Sequence, residues 1–199
     1  MDEARTIQLA QKGDLAAFNR LVLAYQNLAY NVAYRIMNDS EAAADACQEA
    51  FISAFKGIGK LRGTSFKSWL LRIVTNACYD QLRYQRRRPS ASLEQITGED
   101  VGDDTDHSRW LVDDQAGPEE LTIGRELHAL IQQGIACLPA DQRVVVVLSD
   151  IHGLSYQEIA EVTGVSLGTV KSRLSRARAR LRDYLRAHPE LLPTEYRLI

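Results

Sequence analysis

The chain has 199 residues, 45% of them hydrophobic, with a formal net charge of −2, enough apolar material for one large or two small folded units. No apolar run is long enough to span a bilayer and the Met-Asp-Glu-Ala-Arg start has no signal-peptide core, so membrane insertion is excluded and a cytoplasmic location is expected. The near-neutral total hides segregated charge: residues 60–88 and 166–186 are strongly basic and 89–117 acidic, so overall charge is a poor guide to nucleic-acid binding here.

From Asp14, the residues Phe18, Leu21, Val22, Tyr25, Ala29, Val32, Ala33 and Ile36 step by three and four, which predicts one long amphipathic helix ending near Asn38-Asp39-Ser40. A second helix, Glu41 to Lys56, buries Ala43, Cys47, Ala50, Phe51 and Ala54. Its residues Asp45, Gln48, Glu49 and Ile52 form a separate stripe. Spacing alone fits either ordinary surface or a docking face for a partner.

A third helix, Ser65 to about Arg86, buries Phe66, Leu70, Ile73 and Ala77 and presents Trp69, Arg72, Asn76, Asp80 and Arg83 on or near the other side. Aromatic and basic side chains interleaved in this way suit unpaired nucleic acid, because flat rings stack on bases while cations follow the backbone. Trp69 as a core residue is the competing reading. The preceding loop, Gly57 to Ser65, is glycine-rich with the wrong spacing for a phosphate-cradling loop, and reads as a base-contacting loop instead.

Residues 89–117 lack sustained periodicity and are rich in Asp, Ser, Thr and Gly, which predicts a connector with at most a local anchor at Trp110-Leu111-Val112. Such a coil spans roughly 30 Å on average and roughly 100 Å at most. After Pro118, Leu121, Leu127, Ile131, Ile135 and Leu138 outline a helix. Pro139 and Asp141 open a shorter one through four valines to Ser149. Valines favour strands, but a lone strand among helices has no pairing partner, so a helix is expected.

Ser155 and Glu158 have capping-box spacing, Gly164 suits the left-handed end of that helix, and Ser166 suits the cap of the next, which runs to about Arg186. In that last helix Val170, Leu174, Ala177, Leu181 and Leu185 form the inward stripe, leaving Lys171, Ser172, Arg173, Ser175, Arg176 and Arg178 outward. A solvated face normally mixes signs, whereas Asp183 is the only acid between Ser166 and Arg186. The pattern is a helix-turn-helix whose Thr169, Lys171, Ser172, Ser175 and Arg176 suit base edges, with Arg173, Arg178 and Arg180 on phosphates. Cys47, Cys78 and Cys137, odd in number and far apart, read as buried thiols, and His107, His128, His152 and His188 have no ligand partners at metal spacing. No metal or cofactor is expected.

Three segments together resemble a known family. Asp45-Ala-Cys-Gln-Glu-Ala-Phe51, Phe66-Lys-Ser-Trp-Leu-Leu-Arg-Ile73 with Asn76, Asp80 and Arg83, and Leu154 to Arg178 are similar to the two-domain extracytoplasmic-function class of bacterial RNA polymerase sigma factors. The resemblance implies an all-α fold of two small helical domains, 1–88 and 118–187, joined by the acidic linker 89–117 and followed by a tail, 188–199. It implies that Asp45, Gln48, Glu49, Phe51 and Ile52 meet the clamp of the largest subunit of core RNA polymerase, with Phe51 facing inward. It implies that Lys60, Arg62, Ser65, Trp69, Arg72, Asn76, Asp80 and Arg83 surround melted −10 DNA, with a flipped base at the loop. Thr169, Lys171, Ser172, Arg173, Ser175, Arg176 and Arg178 then read −35 duplex DNA. The linker resembles the family's segment threaded through the polymerase toward the RNA exit path, and an anti-sigma factor is an implied partner.

Two departures limit the likeness. Ala46 stands where the family often has a bulky aliphatic residue, and the tail has no counterpart. Two rival functions predict different behaviour: a dimeric LuxR-type regulator would use the helix-turn-helix alone on palindromic DNA, and a nucleic-acid enzyme would need paired carboxylates or a metal cluster in the basic segments.

Overall fold

The computed structural model describes residues 2–62, 65–87 and 118–189. The predicted linker, its Trp110-Leu111-Val112 anchor and the tail beyond residue 189 lie outside them. Among the described residues there is no strand. The helices are α1 (Glu3–Gln11), α2 (Leu15–Met37), α3 (Ser40–Gly57), α4 (Phe66–Arg87), α5 (Pro118–Ala136), α6 (Ala140–Val146), α7 (Tyr156–Thr163) and α8 (Leu167–Arg186). A short 3-10 turn, Ile58–Lys60, follows α3, and a single π turn, Val147–Ile151, continues α6.

Local chemistry sets most of these boundaries. Asp14 and Asp39 accept hydrogen bonds from the backbone N–H groups of Ala17 and Ala42, at 3.0 and 2.7 Å, satisfying donors that the first turns of α2 and α3 leave over. Asn38 ends α2 in the left-handed conformation, φ 57°, its N–H bonded to the Tyr34 carbonyl. The α7 cap is a complete capping box: Glu158 N–H donates to Ser155 Oγ while Ser155 N–H donates to Glu158 Oε2. Gly164, φ 68°, closes α7, and Ser166 Oγ accepts from Thr169 N–H to open α8.

Helix α1 departs from the sequence reading, which began the fold at Asp14. It buries only Thr6 and Ala10, too little apolar surface to announce a helix. Partly buried Ile7 and Leu9 pack on the core, and polar ties add to them: Tyr25 donates to Glu3 Oε2 at 2.7 Å, and Gln11 Nε2 donates to the Ile58 and Leu61 carbonyls at 3.3 and 2.9 Å. Helices α2, α3 and α4 then pack around Leu21, Val32, Ile36, Phe66, Leu70 and Val74. The alanines 43, 46, 50 and 54 let α3 approach its neighbours closely. Each large side chain so buried contributes about 1.5–3 kcal/mol.

In the second group the four valines are helical and all buried, as the sequence argument expects. A β-carbon at Gly134 would come within 2.8 Å of Leu181 and 2.9 Å of Tyr184, so the glycine is what allows α5 and α8 to cross closely. Cys47 and Cys78 are buried, and burial pushes each thiol up to about 12. Cys137 is exposed, correcting the expectation for the third thiol; it follows the end of α5 on the turn into α6.

The two groups also pack on each other, α7 along α4 and α5 and α6 at the carboxyl end of α2. The Arg35 side chain, 7% exposed, donates to Gln132 Oε1 at 3.3 Å, and Gln132 Nε2 donates to Asn38 Oδ1 at 2.9 Å. The Arg143 guanidinium donates to the Ile36 carbonyl at the end of α2 and to the Ala136 carbonyl at the end of α5. Terminal carbonyls have no intrahelical donor and carry the negative end of the helix dipole, so one cation serves two helix ends, one from each group.

Candidate nucleic-acid and polymerase interface

Helix α3 turns Ala43, Ala46, Ala50 and Ala54 inward and leaves Asp45, Gln48, Glu49 and Ile52 exposed in one row, with Phe51 half-buried against the core. Ile52 is 48% exposed. Phe55, one turn further on, is 47% exposed and meets Phe18 edge-on at 5.1 Å. Sequence reading missed Phe55, although it continues the i, i+3 spacing from Ile52. The row is acidic and amide-bearing at one end and apolar at the other, which suits a partner helix bearing cations and aliphatic side chains.

Helix α4 has three sides. Phe66, Leu70 and Ala77 face the amino-terminal core, and Arg72, Asn76, Asp80 and Arg83 are exposed on another side, as predicted. Trp69 is half-buried: its ring lies 5.8 Å from Phe66, and a β-carbon at Gly57 would stand 3.3 Å from its Cζ2. The ring is thus partly packed against the core without being enclosed by it. Lys60, Arg62 and Ser65 are exposed beside it. Ser65 Oγ accepts from Ser68 N–H at 3.2 Å, so this side chain caps α4. Arg83 pairs with Asp80 at 3.4 Å across exposed side chains, an arrangement worth little and easily exchanged for a phosphate. Tyr84, 57% exposed, is a second aromatic that the sequence reading passed over.

On α8 the predicted inward stripe is confirmed at Val170, Leu174 and Ala177, all buried. Lys171, Ser175 and Arg176 are exposed on the outer side. The Thr169 hydroxyl shares a 2.8 Å hydrogen bond with Ser166, and Ser172 Oγ donates to the Thr169 carbonyl at 3.0 Å. Arg173 and Arg178 are engaged within the protein. Arg173 pairs with Asp141 on α6 at 3.1 Å. Arg178 makes a two-pronged bridge to Asp150, Nη2 to Oδ1 at 2.6 Å and Nε to Oδ2 at 2.9 Å.

The π turn explains how Asp150 reaches that position. His152 N–H bonds back to the Val147 carbonyl, and Gly153, φ 65°, reverses the chain, so Ser149 and Asp150 project toward α8. Partial burial alone would raise the Asp150 carboxyl, but hydrogen bonds from Arg178 and Ser149, with the charge of Arg178, hold it below its ordinary value. The same hydrogen bonds, donated by Arg178 to Asp150, with a lesser contribution from the one it donates to Tyr156, raise the Arg178 guanidinium. Among the described residues no group of His, Cys, Asp or Glu could hold a metal ion, and no helix is long and apolar enough to cross a membrane.

Residues 21–88 match the family model for sigma-70 region 2, and residues 128–181 that for sigma-70 region 4. The chain is 38% identical over 178 residues to the RNA polymerase sigma-H factor of Pseudomonas aeruginosa, covering 88% of this chain and 90% of that one. It is 36% identical over 174 residues to the ECF RNA polymerase sigma-E factor of Escherichia coli K12, covering 86% and 88%. Among solved structures, the sigma factor RpoE of Bartonella quintana, in complex with the anti-sigma factor NepR, is 27% identical with a TM-score of 0.62, over 84% of this chain and 96% of that one. A LuxR-type regulator shares only the helix-turn-helix, so the match across 21–88 decides against that rival. The chain belongs to the extracytoplasmic-function RNA polymerase sigma factors and directs promoter-specific initiation of transcription.

Proposed function

We propose that three faces of this chain divide the work of initiation. The α3 row of Asp45, Gln48, Glu49 and Ile52, with Phe51 behind it and Phe55 at its apolar end, docks on the polymerase clamp. The Lys60, Arg62 and Ser65 loop with Trp69, Arg72, Asn76, Asp80 and Arg83 on α4 receives the melted −10 strand. The outer side of α8 reads the −35 duplex: Lys171, Ser175 and Arg176 reach base edges, Thr169 and Ser172 lie at the groove-facing start of the helix, and Arg173 and Arg178 add positive charge at its flank. Residues 1–88 and 118–187 act as separate binding modules, with 89–117 between them inside the polymerase.

The observation that carries this reading is that one chain exposes two cationic helix faces and, apart from both, an acidic row with an apolar end. No bond in the substrate DNA need be cleaved or formed by the protein, so strand opening is driven by binding energy and the chain is not an enzyme. Its place is the cytoplasm, where polymerase and promoter are. A partner that withholds the factor follows from the same logic, since a free factor competes continuously for polymerase. The solved relative held by an anti-sigma factor supports a partner of that kind here.

A pull-down with core polymerase, followed by mapping of transcription start sites on promoter templates, tests the assignment. Association together with redirected starts is expected. Glu49→Lys with Ile52→Asp should abolish association while leaving duplex −35 binding by the isolated factor intact; loss of both would break the proposed division.

A further inference from the structure

We propose that Leu167 and Gly168, at the start of α8, read a thymine in the −35 element: the leucine side chain packs on the 5-methyl group of that base, and the glycine lets the helix come close enough for it to do so. The inference deepens the assignment of α8 as the −35 reader and rests on it.

The outer side of α8 is made of two adjacent rows at i, i+4, i+8 spacing, Leu167, Lys171 and Ser175 in one and Gly168, Ser172 and Arg176 in the other. All six residues are exposed, and Val170, Leu174 and Ala177 are buried behind them. Four of the six end in hydrogen-bonding groups. The two that do not, Leu167 and Gly168, head the rows, at the amino-terminal end by which a recognition helix meets base edges.

A lone exposed leucine is ordinary on a protein surface, and its neighbours are what set Leu167 apart. It is 43% exposed and stands outside the hydrophobic core, one turn before Lys171 on a side otherwise furnished with cations and hydroxyls. The major groove offers such polar side chains donors and acceptors, and it offers one apolar group, the 5-methyl of thymine. A side chain that can neither donate nor accept gains from that methyl, whereas against a polar base edge it leaves a hydrogen-bonding group covered and unpaired.

Gly168 adds a second, separate observation. Its backbone lies within the helix, without the positive φ of Gly153 and Gly164. A β-carbon there would meet nothing nearer than the Ser166 hydroxyl oxygen at 3.9 Å, in contrast to Gly134, which Leu181 and Tyr184 enclose. Neither backbone conformation nor packing within the protein therefore calls for a glycine, a residue disfavoured in helices relative to alanine. The room it leaves faces outward, between Leu167 and Ser172 on the reading side, where the groove comes in.

The test uses holoenzyme assembled from the full chain and core polymerase, on a promoter whose start it sets. Each thymine of the −35 element, on either strand, is replaced in turn by deoxyuridine, which removes the methyl group and keeps the base pairing. The parent should bind roughly three- to fivefold more weakly at one such replacement, as one buried methyl is worth. Leu167→Ala should lose about the same on the unmodified promoter and be blind to that replacement. A parent that senses no replacement, or a Leu167→Ala variant that senses it as strongly as the parent, overturns the thymine reading. Gly168→Ala should melt about 2–4 °C higher, as alanine in a helix predicts, yet bind the promoter roughly tenfold more weakly; binding as tight as the parent's overturns the close approach. Arg176→Ala on the same templates keeps the underlying assignment separate. A loss confined to one base pair upholds α8 as the −35 reader whatever Leu167 does, and unchanged binding strikes at that assignment instead.

Discussion

In the proposed scheme the two cationic helices, α4 and α8, solve different recognition problems. The reading side of α8 is flanked by Arg173 and Arg178, each held by a carboxylate from α6 or the π turn, with only the outermost side chains left exposed. The corresponding side of α4 has one exposed, weak ion pair and a half-buried indole. Duplex DNA presents a fixed groove, so a helix whose tilt is set beforehand loses little freedom on binding. A melted strand has no fixed shape, and it suits side chains that can rearrange around each base.

The largest expected effect tests the melted-strand side. Trp69→Ala should leave binding to core polymerase intact and reduce strand opening by roughly 5- to 150-fold, the equivalent of about 1–3 kcal/mol of lost stacking. Permanganate reactivity of the unpaired bases reads the bubble directly. Gly57→Ala sharpens the point. It keeps the indole but crowds Cζ2, so an intermediate defect would show that the ring's pose matters as well as its presence. An unchanged bubble in Trp69→Ala would reduce the indole to a core residue.

Next in size is Arg176→Ala on α8. Its loss should cost about 1–3 kcal/mol at one base pair of the −35 element and little elsewhere. Loss of a phosphate contact instead weakens every sequence alike and lowers the salt slope by about 0.9. Binding titrations against single-base promoter variants at two salt concentrations separate the two outcomes, and uniform weakening would remove Arg176 from base reading.

The bridge between Arg178 and Asp150 tests whether the duplex reader is held in advance. Asp150→Asn touches no DNA, yet it should weaken −35 binding across all sequences by about 1 kcal/mol, with Arg178 now free to wander. If Asp150→Asn binds as tightly as the parent or tighter, Arg178 is a phosphate ligand that the carboxylate merely occupies. The comparison between a pinned α8 and a loose α4 would then fail at its strongest point.

Much of this was legible in the sequence where the determining chemistry is local. Ser155, Glu158, Gly164 and Ser166 announce the helix-turn-helix because caps act within four residues, and the structure places each in its expected role. Asp14 and Asn38 likewise bound α2. The packing between the two groups of helices was not legible. Arg35, Gln132 and Arg143 look like ordinary surface residues, and their partners lie about a hundred residues away or are backbone carbonyls. One sign was present: α4 carries apolar pairs at Leu70 and Leu71, Ile73 and Val74, and Ala77 and Cys78, an arc wider than one neighbour requires. For the same reason Arg173 and Arg178 read as free cations until their carboxylates come into view.

A smaller effect should appear on acidification. Burial, with the charges of Arg35 from α2 and Lys67 from α4, pushes His152 from 6.5 down to about 4. The unfolded chain takes up a proton near 6.5 and the folded chain resists it, so the fold is fully favoured above that pH and loses ground as the pH falls toward 4. Urea midpoints of the parent should decline over this window more steeply than those of His152→Gln, which isolates the imidazole from carboxylates titrating in the same range. Parallel pH profiles for the two proteins would place the acid sensitivity elsewhere.

The smallest effect concerns the caps themselves. Ser155→Ala removes the acceptor for Glu158 N–H and leaves Glu158 to hold the Ser155 backbone alone, which should cost about 1 kcal/mol of stability in a thermal melt. Helix α7 does not read DNA in this scheme; it only seats α8, and α8 has its own cap at Ser166 and its own pins at Asp141 and Asp150. Binding to −35 DNA at a temperature where the variant is fully folded should therefore change by less than about twofold. If Ser155→Ala instead alters which −35 sequences are preferred, the tilt of α8 is set by the start of α7 and not by the two ion pairs, since a cap that only stabilises the fold has no means of telling one base from another.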